Sequence, residues 1–331
     1  QTANGEVSWT DKQIRKTDRN GRLASPLAGI VNWATHTGNR LTRPLMQFFA
    51  GIHRRARVPR YHRKTLMREA KDWPAPSHTA ARKVVLYATC AGNHNNPEVG
   101  TATQRILEKA GVTVALAYPG CCGMPQLETG DIKSVAASAE SVSADLATWI
   151  DDGYDVVALT PSCALMLKFE WPLILPDHAN VKKLAAATHD AAEYVVDLAK
   201  AGDLVGDLVP LDGPVALHLA CHARAQNMGP KAAELLGLIP DSQVMVLERC
   251  SGHGGAWGMM KDNFEVALKV GKPVAQKAVD AGAKYVASEC PLAGDHIAQG
   301  MEELDASVRV PRAYHPIELF AMAYGVGEAS P

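Results

Sequence analysis

Three cysteines of this chain recur at almost one spacing, and that recurrence limits the folds open to it. Cys90 is answered by Cys221 at an offset of 131, Cys121 by Cys250 at 129, and Cys163 by Cys290 at 127. Offsets so nearly constant read as an internal duplication, so one kind of unit is built twice. Five of these six also close an apolar run of strand length. Val84-Val85-Leu86-Tyr87-Ala88-Thr89 leads to Cys90, Val156-Val157-Ala158-Leu159 to Cys163, Val215-Ala216-Leu217-His218 to Cys221, Val244-Met245-Val246-Leu247 to Cys250, and Tyr285-Val286-Ala287 to Cys290. Helix-patterned segments fall between these runs at 98 to 110, 131 to 151, 190 to 201, 230 to 237, 261 to 281 and 294 to 304, with a closing helix at 315 to 325. Alternating strands and helices predict an α/β fold of two duplicated, Rossmann-like parallel-sheet units. In such sheets the loops beyond the carboxyl ends of the strands form the binding crevice, which is where every cysteine falls. The expected organisation is an arm at 1–75, a first unit at 76–205 and a second at 206–331.

The remaining cysteine, Cys122, makes the doublet Cys121-Cys122-Gly123. Adjacent cysteines do not easily bridge each other, so the doublet makes sense as two thiolates offered to one metal centre from a glycine-flanked turn. With Cys90 and Cys163 the first unit offers four thiols, a set that suits an iron–sulfur cluster or a closed zinc site. Zinc sites usually draw on short C-x-x-C knuckles, whereas these cysteines come from distant strand ends, which favours a redox cluster. In the second unit Ser251 stands where Cys122 stands in the first, leaving Cys221, Cys250 and Cys290. The missing thiol allows an open coordination position, a three-iron cluster, or a substitute from His222, His253 or Ser251. Met124 and Trp257 are expected to pack over the two centres. The run Asn93-His94-Asn95-Asn96 reads as an ordinary turn rather than a set of sulfur hydrogen-bond donors.

Charge separates the ends of the chain. Residues 1 to 72 carry fifteen Lys and Arg against five acidic residues, inside a chain whose net charge is only -1. Short apolar clusters (Leu23, Leu27, Ile30 and Trp33, then Leu45, Phe48, Phe49 and Ile52) alternate with the basic residues. Two readings follow: a basic amphipathic arm that grips an acidic partner or lies on a membrane face, or helices wrapped over the acidic body. Trp73-Pro74-Ala75-Pro76-Ser77 reads as a linker between arm and body. No apolar run approaches the ~18 residues of a spanning helix, and the cysteines sit at strand ends rather than at disulfide-like spacings. A cytoplasmic metal protein is therefore expected, with a peripheral place on the inner membrane face open to it. No dinucleotide fingerprint, P-loop or C-x2-C-x2-C-x3-C-P run occurs.

The segments Cys121-Cys122-Gly123-Met124-Pro125, Pro161-Ser162-Cys163, Cys221-His222, Glu248-Arg249-Cys250-Ser251-Gly252-His253 and Cys290-Pro291-Leu292-Ala293-Gly294 carry a resemblance. Over about residues 80 to 325 the chain resembles the tandem cysteine-rich (CCG) proteins. These include the cysteine-rich subunit of heterodisulfide reductase, the iron–sulfur subunits of anaerobic glycerol-3-phosphate dehydrogenase and glycolate oxidase, and lactate-utilisation proteins. The resemblance implies an electron-transfer subunit of an oxidoreductase complex, with a [4Fe-4S] cluster at Cys90, Cys121, Cys122 and Cys163 and a second centre at the three-cysteine site. It implies as partners a flavoprotein dehydrogenase or other redox subunits and a quinone-linked membrane acceptor, not nucleic acid. It also implies two ferredoxin-type clusters in a domain upstream of the arm, so a longer natural chain is expected before Gln1. The heterodisulfide reductase protein has a further cysteine in each unit, used for noncubane clusters that cleave disulfides; Met166 and Ala293 stand at those places here. Plain electron transfer is thus expected over catalytic disulfide reduction, with a zinc-stabilised scaffold as the non-redox alternative.

Overall fold

The computed structural model describes residues 9–74 and 81–327. Among these, seven strands form two all-parallel sheets. The first holds β1 (Lys83–Tyr87), β2 (Thr113–Ala117), β3 (Asp155–Ala158) and β4 (Thr188–Asp190) in the order β2-β1-β3-β4. The second holds β5 (Val215–His218), β6 (Val244–Leu247) and β7 (Tyr285–Ser288) in the order β6-β5-β7. In each unit the first strand is central and the next two flank it, so the duplication seen in the cysteines is also one of topology. It extends further than the cysteines do. Tyr314 makes a parallel bridge to Ala287 beside β7, at the place that β4 takes beside β3.

Period-two alternation decides which side chains meet. On β1, Val84 and Leu86 face one core while Val85 and Tyr87 face another. On β5, Val215 and Leu217 repeat Val84 and Leu86 at the cysteine offset and face that same first core, while Ala216 faces a third. The shared core also takes the buried faces of four helices, Pro97–Lys109, Ala191–Ala201, Lys231–Gly237 and Pro316–Ala323. Two come from each unit. The sheets therefore sandwich a common helical layer, while Ile132–Asp151 covers the outer face of the first sheet and Phe264–Asp280 with Pro291–Leu304 that of the second. Buried leucines and isoleucines there contribute about 1.5–3 kcal/mol apiece.

Helix starts are chemically marked in both units. Asp190 caps Ala191–Ala201 with Glu193 completing a capping box, and His315 with Glu318 does the same for Pro316–Ala323, at an offset of 125. Three expectations need correction. The stretch between Cys163 and 190, to which the apolar pattern assigns no helix, is helical at Pro161–Leu165, Trp171–Ile174 and Ala179–Ala187, with a single π turn at Met166–Glu170. Pro172 falls in the first turn of its helix, where no N–H is needed. Second, Asn93 and His94 belong to a short helix, Cys90–His94, rather than a turn. Third, Trp257 is 43% exposed and packs on Gly254 instead of covering a centre. Of the expected linker, residues 75–77 lie outside the described residues, and Trp73 packs against the shared core.

Candidate metal centres

Every cysteine sits at a strand-to-helix junction at the carboxyl end of its sheet. Cys90 and Cys221 open helices after β1 and β5, Cys163 and Cys290 follow β3 and β7, and the doublet and Cys250 lie in the loops after β2 and β6. The central strand fixes the loop beside it by the same bond twice. Tyr87 donates its hydroxyl to the Gly120 carbonyl at 2.7 Å, and His218 Nε2 lies 2.9 Å from the Arg249 carbonyl. Gly120 and Arg249 are the residues just before Cys121 and Cys250. Past each cysteine the chain turns through a left-handed glycine, Gly123 at φ 84° and Gly252 at φ 85°. Their amides point back at sulfur, Gly123 N–H to Cys121 Sγ at 3.5 Å and Gly252 N–H to Cys250 Sγ at 3.4 Å. Such amide-to-sulfur bonds favour a thiolate.

In the first unit the four sulfurs lie in two close pairs. Cys121 Sγ is 3.9 Å from Cys90 Sγ, and Cys122 Sγ is 3.1 Å from Cys163 Sγ. Thr89 and Thr160 hydroxyls, 3.1 Å apart, tie the Cys90 loop to the Cys163 loop. Thr89 does so at φ 57°, a left-handed backbone that a β-branched residue adopts only under constraint, and its side chain accepts the Gly92 N–H. Around the sulfurs lie Met124, Val135, Met166 and Trp171, all buried, and the Trp171 indole N–H donates to the Cys122 carbonyl at 3.1 Å. Burial of so many thiols sorts them. Donation from Cys122, then Cys90, holds the Cys121 thiol well below its ordinary range, while the same contacts and desolvation push Cys90 and Cys122 well above theirs.

The second unit is more open. Cys221 and Cys250 are exposed and Cys290 is partly buried. Burial pushes the Cys290 thiol up to about 11, with Cys221 close enough to add to it. His253 Nε2 lies 3.7 Å from Cys290 Sγ, and its Nδ1 lies 3.0 Å from the Ser251 hydroxyl. Burial, then the neighbouring His296, His218 and His222, lowers His253 to about 4, so the ring is neutral at neutral pH, the form that binds metal. The structure thus brings His253 onto a cysteine of the site and sets His222 beside that histidine. The Cys221 and Cys290 loops are joined by the Ala220 N–H donating to the Glu289 carboxyl at 3.1 Å, the counterpart of the Thr89–Thr160 tie. Glu289, buried, is pushed up to about 8 by desolvation and then by Asp190.

The arm contributes to the first site, which sequence reasoning did not foresee. Thr17 Oγ1 lies 3.3 Å from Cys90 Sγ and 3.7 Å from Cys121 Sγ. Nothing in the pattern around Thr17 marks it; only the folded path of the arm does. Among the described residues no group of three or more His, Cys, Asp or Glu side chains is spaced for a single metal ion. A multinuclear cluster bonds its thiolates one per iron, so its ligands need not converge on one point. The donor set of the first site, all sulfur in an apolar hollow with the Gly123 amide donating to Cys121 and the Thr17 hydroxyl beside two sulfurs, fits such a group.

Two parallel-sheet units with cysteines at corresponding strand ends define a tandem cysteine-rich α/β protein. The chain belongs to the cysteine-rich domain (CCG) family, whose signature matches residues 84–168 and 215–294. It is 27% identical over 316 residues to a subunit of anaerobic glycerol-3-phosphate dehydrogenase of Escherichia coli (strain K12), covering 94% of this chain and 76% of that one. It is 31% identical over 211 residues to lactate utilization protein A of Geobacillus kaustophilus, 60% of this chain and 79% of that one. It is 24% identical over 284 residues to a subunit of dihydromethanophenazine:CoB–CoM heterodisulfide reductase of Methanosarcina barkeri, 81% of this chain and 66% of that one. Membership and donor set together support an iron–sulfur cofactor in an oxidoreductase-associated subunit.

Proposed function

We propose that this chain is the iron–sulfur electron-transfer subunit of a flavin-linked oxidoreductase complex, passing electrons between a dehydrogenase and a quinone or other acceptor. The nest of Cys90, Cys121, Cys122 and Cys163 carries the reading: four sulfurs on three loops at one end of one sheet, enclosed by apolar side chains. A [4Fe-4S] cluster held by these cysteines would supply one-electron transfer at a potential set by exposure and sulfur hydrogen bonds. Met124, Met166 and Trp171 keep water from that site, and the Gly123 amide supports Cys121. Cys221, Cys250 and Cys290 would hold the second centre, with His253 the side chain placed to complete it. Its exposure suits exchange with a partner at short range.

The arm supports docking at a surface. Three of its arginines pair with the body: Arg15 with Asp131, Arg55 with Glu265 and Glu303, and Arg57 with Glu302. Its apolar residues turn outward. Leu23, Leu27, Ile30 and Trp33 follow one helical rhythm and Leu41, Leu45, Phe48 and Phe49 another, all 56% to 80% exposed. Eight such side chains between Leu23 and Phe49 form the kind of patch that a membrane interface or a partner covers. Among the described residues no helix is long and apolar enough to cross a membrane, so attachment would be peripheral.

A second reading, catalytic disulfide reduction at the second centre, draws on the exposure of Cys221 and Cys250. The test is to reduce anaerobically purified protein with a viologen dye and offer it disulfides. Reversible reduction of the centres without turnover supports electron transfer; sustained disulfide turnover would replace that reading with the catalytic one.

A further inference from the structure

We propose that the arm helix Thr17–Ala24 is a strap that sets the reduction potential of the first centre, with the Thr17 hydroxyl donating to the ligand sulfurs of Cys90 and Cys121. This rests on the reading of that centre as an iron–sulfur cluster. A cysteine bound to iron has no S–H, so in the contacts at 3.3 and 3.7 Å the hydroxyl must be the donor. Donation to a charged acceptor is stronger than between neutral groups, and it strengthens as the acceptor gains charge. One-electron reduction adds negative charge to the centre. The bond therefore favours the reduced state and raises the potential. The helix is fixed on both sides of Thr17. Arg15 pairs with Asp131 at 3.2 Å, Asp18 accepts from the Tyr118 hydroxyl at 2.6 Å, and the Ser25 hydroxyl lies 3.0 Å from His94 Nδ1. At Gly21 the backbone lies so close to His94 that an added Cβ would meet the ring at 2.3 Å. The second site has no equivalent: among the described residues no hydroxyl hydrogen-bonds the sulfurs of Cys221, Cys250 or Cys290. Duplication made two centres, and the strap makes them unequal.

The test is a redox titration of the whole protein, with dithionite and ferricyanide, followed by electron paramagnetic resonance. The first centre is identified as the signal missing from Cys122→Ser. Thr17→Val keeps the shape of the side chain and removes the donor; Thr17→Ser keeps the donor. The Val variant should disfavour the reduced first centre about tenfold, which is about 59 mV for one electron, with the second centre unmoved and the Ser variant close to wild type. A first-centre potential unchanged by Thr17→Val overturns the proposal. So does an equal fall in both variants. Electron–nuclear double resonance on the reduced protein gives a second check: a coupling to the first centre from a proton exchangeable in D2O must be present in the wild type and lost in Thr17→Val, and identical exchangeable couplings in the two also overturn the proposal. Absence of iron and sulfide would instead defeat the cluster reading on which the strap depends.

Discussion

Tyr87 and His218 occupy one position in the two units and hold the same carbonyl with different chemistry, a phenol in one and an imidazole in the other. Cys122 and Ser251 differ more consequentially, since the thiol pairs with Cys163 and the hydroxyl pairs with His253. Cys122→Ser should therefore lose the first centre, seen as roughly half the bound iron if both sites are filled; unchanged iron would refute the ligand assignment. His315 makes a pH prediction away from either site. It is 4% exposed, its Nδ1 accepts the Ile317 N–H, and burial lowers it from 6.5 to about 3. The folded state thus holds the ring neutral while the unfolded chain takes up a proton below about 6.5. Its contribution is full above that pH and is lost as pH falls toward about 3. His315→Asn keeps a capping side chain without the titration. Its melting temperature should fall less steeply than wild type between about pH 6.5 and 5; parallel slopes would show that His315 is not the titrating group.

The glycine after each motif cysteine is needed for different reasons in the two loops. At Gly123 an added Cβ would lie 3.5 Å from Val135, an ordinary contact, so alanine costs only the left-handed backbone, about 1–2 kcal/mol. At Gly252 it would lie 2.2 Å from the Ala267 carbonyl oxygen and 2.9 Å from the Gly271 amide, backbone atoms that cannot yield. Gly252→Ala should cost a further ~1–3 kcal/mol, read as a lower urea midpoint than Gly123→Ala at equal slope. Equal midpoints would contradict the close packing of that loop on Phe264–Asp280. These elements also show what was legible beforehand. The strand ends, the cysteine loops and the long helices followed from apolar periodicity and spacing, because each is a repeated local pattern. β4 was not foreseen: Thr188, His189 and Asp190 are three residues of mostly polar character whose place is set by pairing with β3. Its counterpart at Tyr314 and the two capping boxes share an offset of 125, which only the pairing and capping geometry makes meaningful.

At the scale of the molecule, the arm divides its cations: Arg15, Arg55 and Arg57 pair with the body, and most of the others are exposed. Charge counting left two directions open for them, an outside partner or the acidic body, and the body takes several. Arg43, 2% exposed, goes neither way: it spends its guanidinium inside the arm, on the carbonyls of Thr35, His53, Arg54 and Ala56. Composition gave the number of cations and not their direction, because direction depends on which acidic residues and carbonyls the folded arm meets. Phe48 and Phe49, at 80% and 72% exposure, are the most open aromatic side chains of the arm's apolar patch, so binding to vesicles should depend on them more than on salt. Replacing both by serine should weaken sedimentation with phosphatidylglycerol vesicles by roughly tenfold or more, from the lost burial of two rings. Binding that persists in the variant and vanishes in salt would assign the attachment to the cations instead. Everything turns on what the seven cysteines hold. Iron, zinc and acid-labile sulfide should be measured on anaerobically purified protein, with paramagnetic resonance of the same sample reduced and oxidised. About four irons and four sulfides, or up to twice that, with a signal that appears on reduction, is the predicted result. Stoichiometric zinc without sulfide would contradict it and leave the duplicated fold as a scaffold.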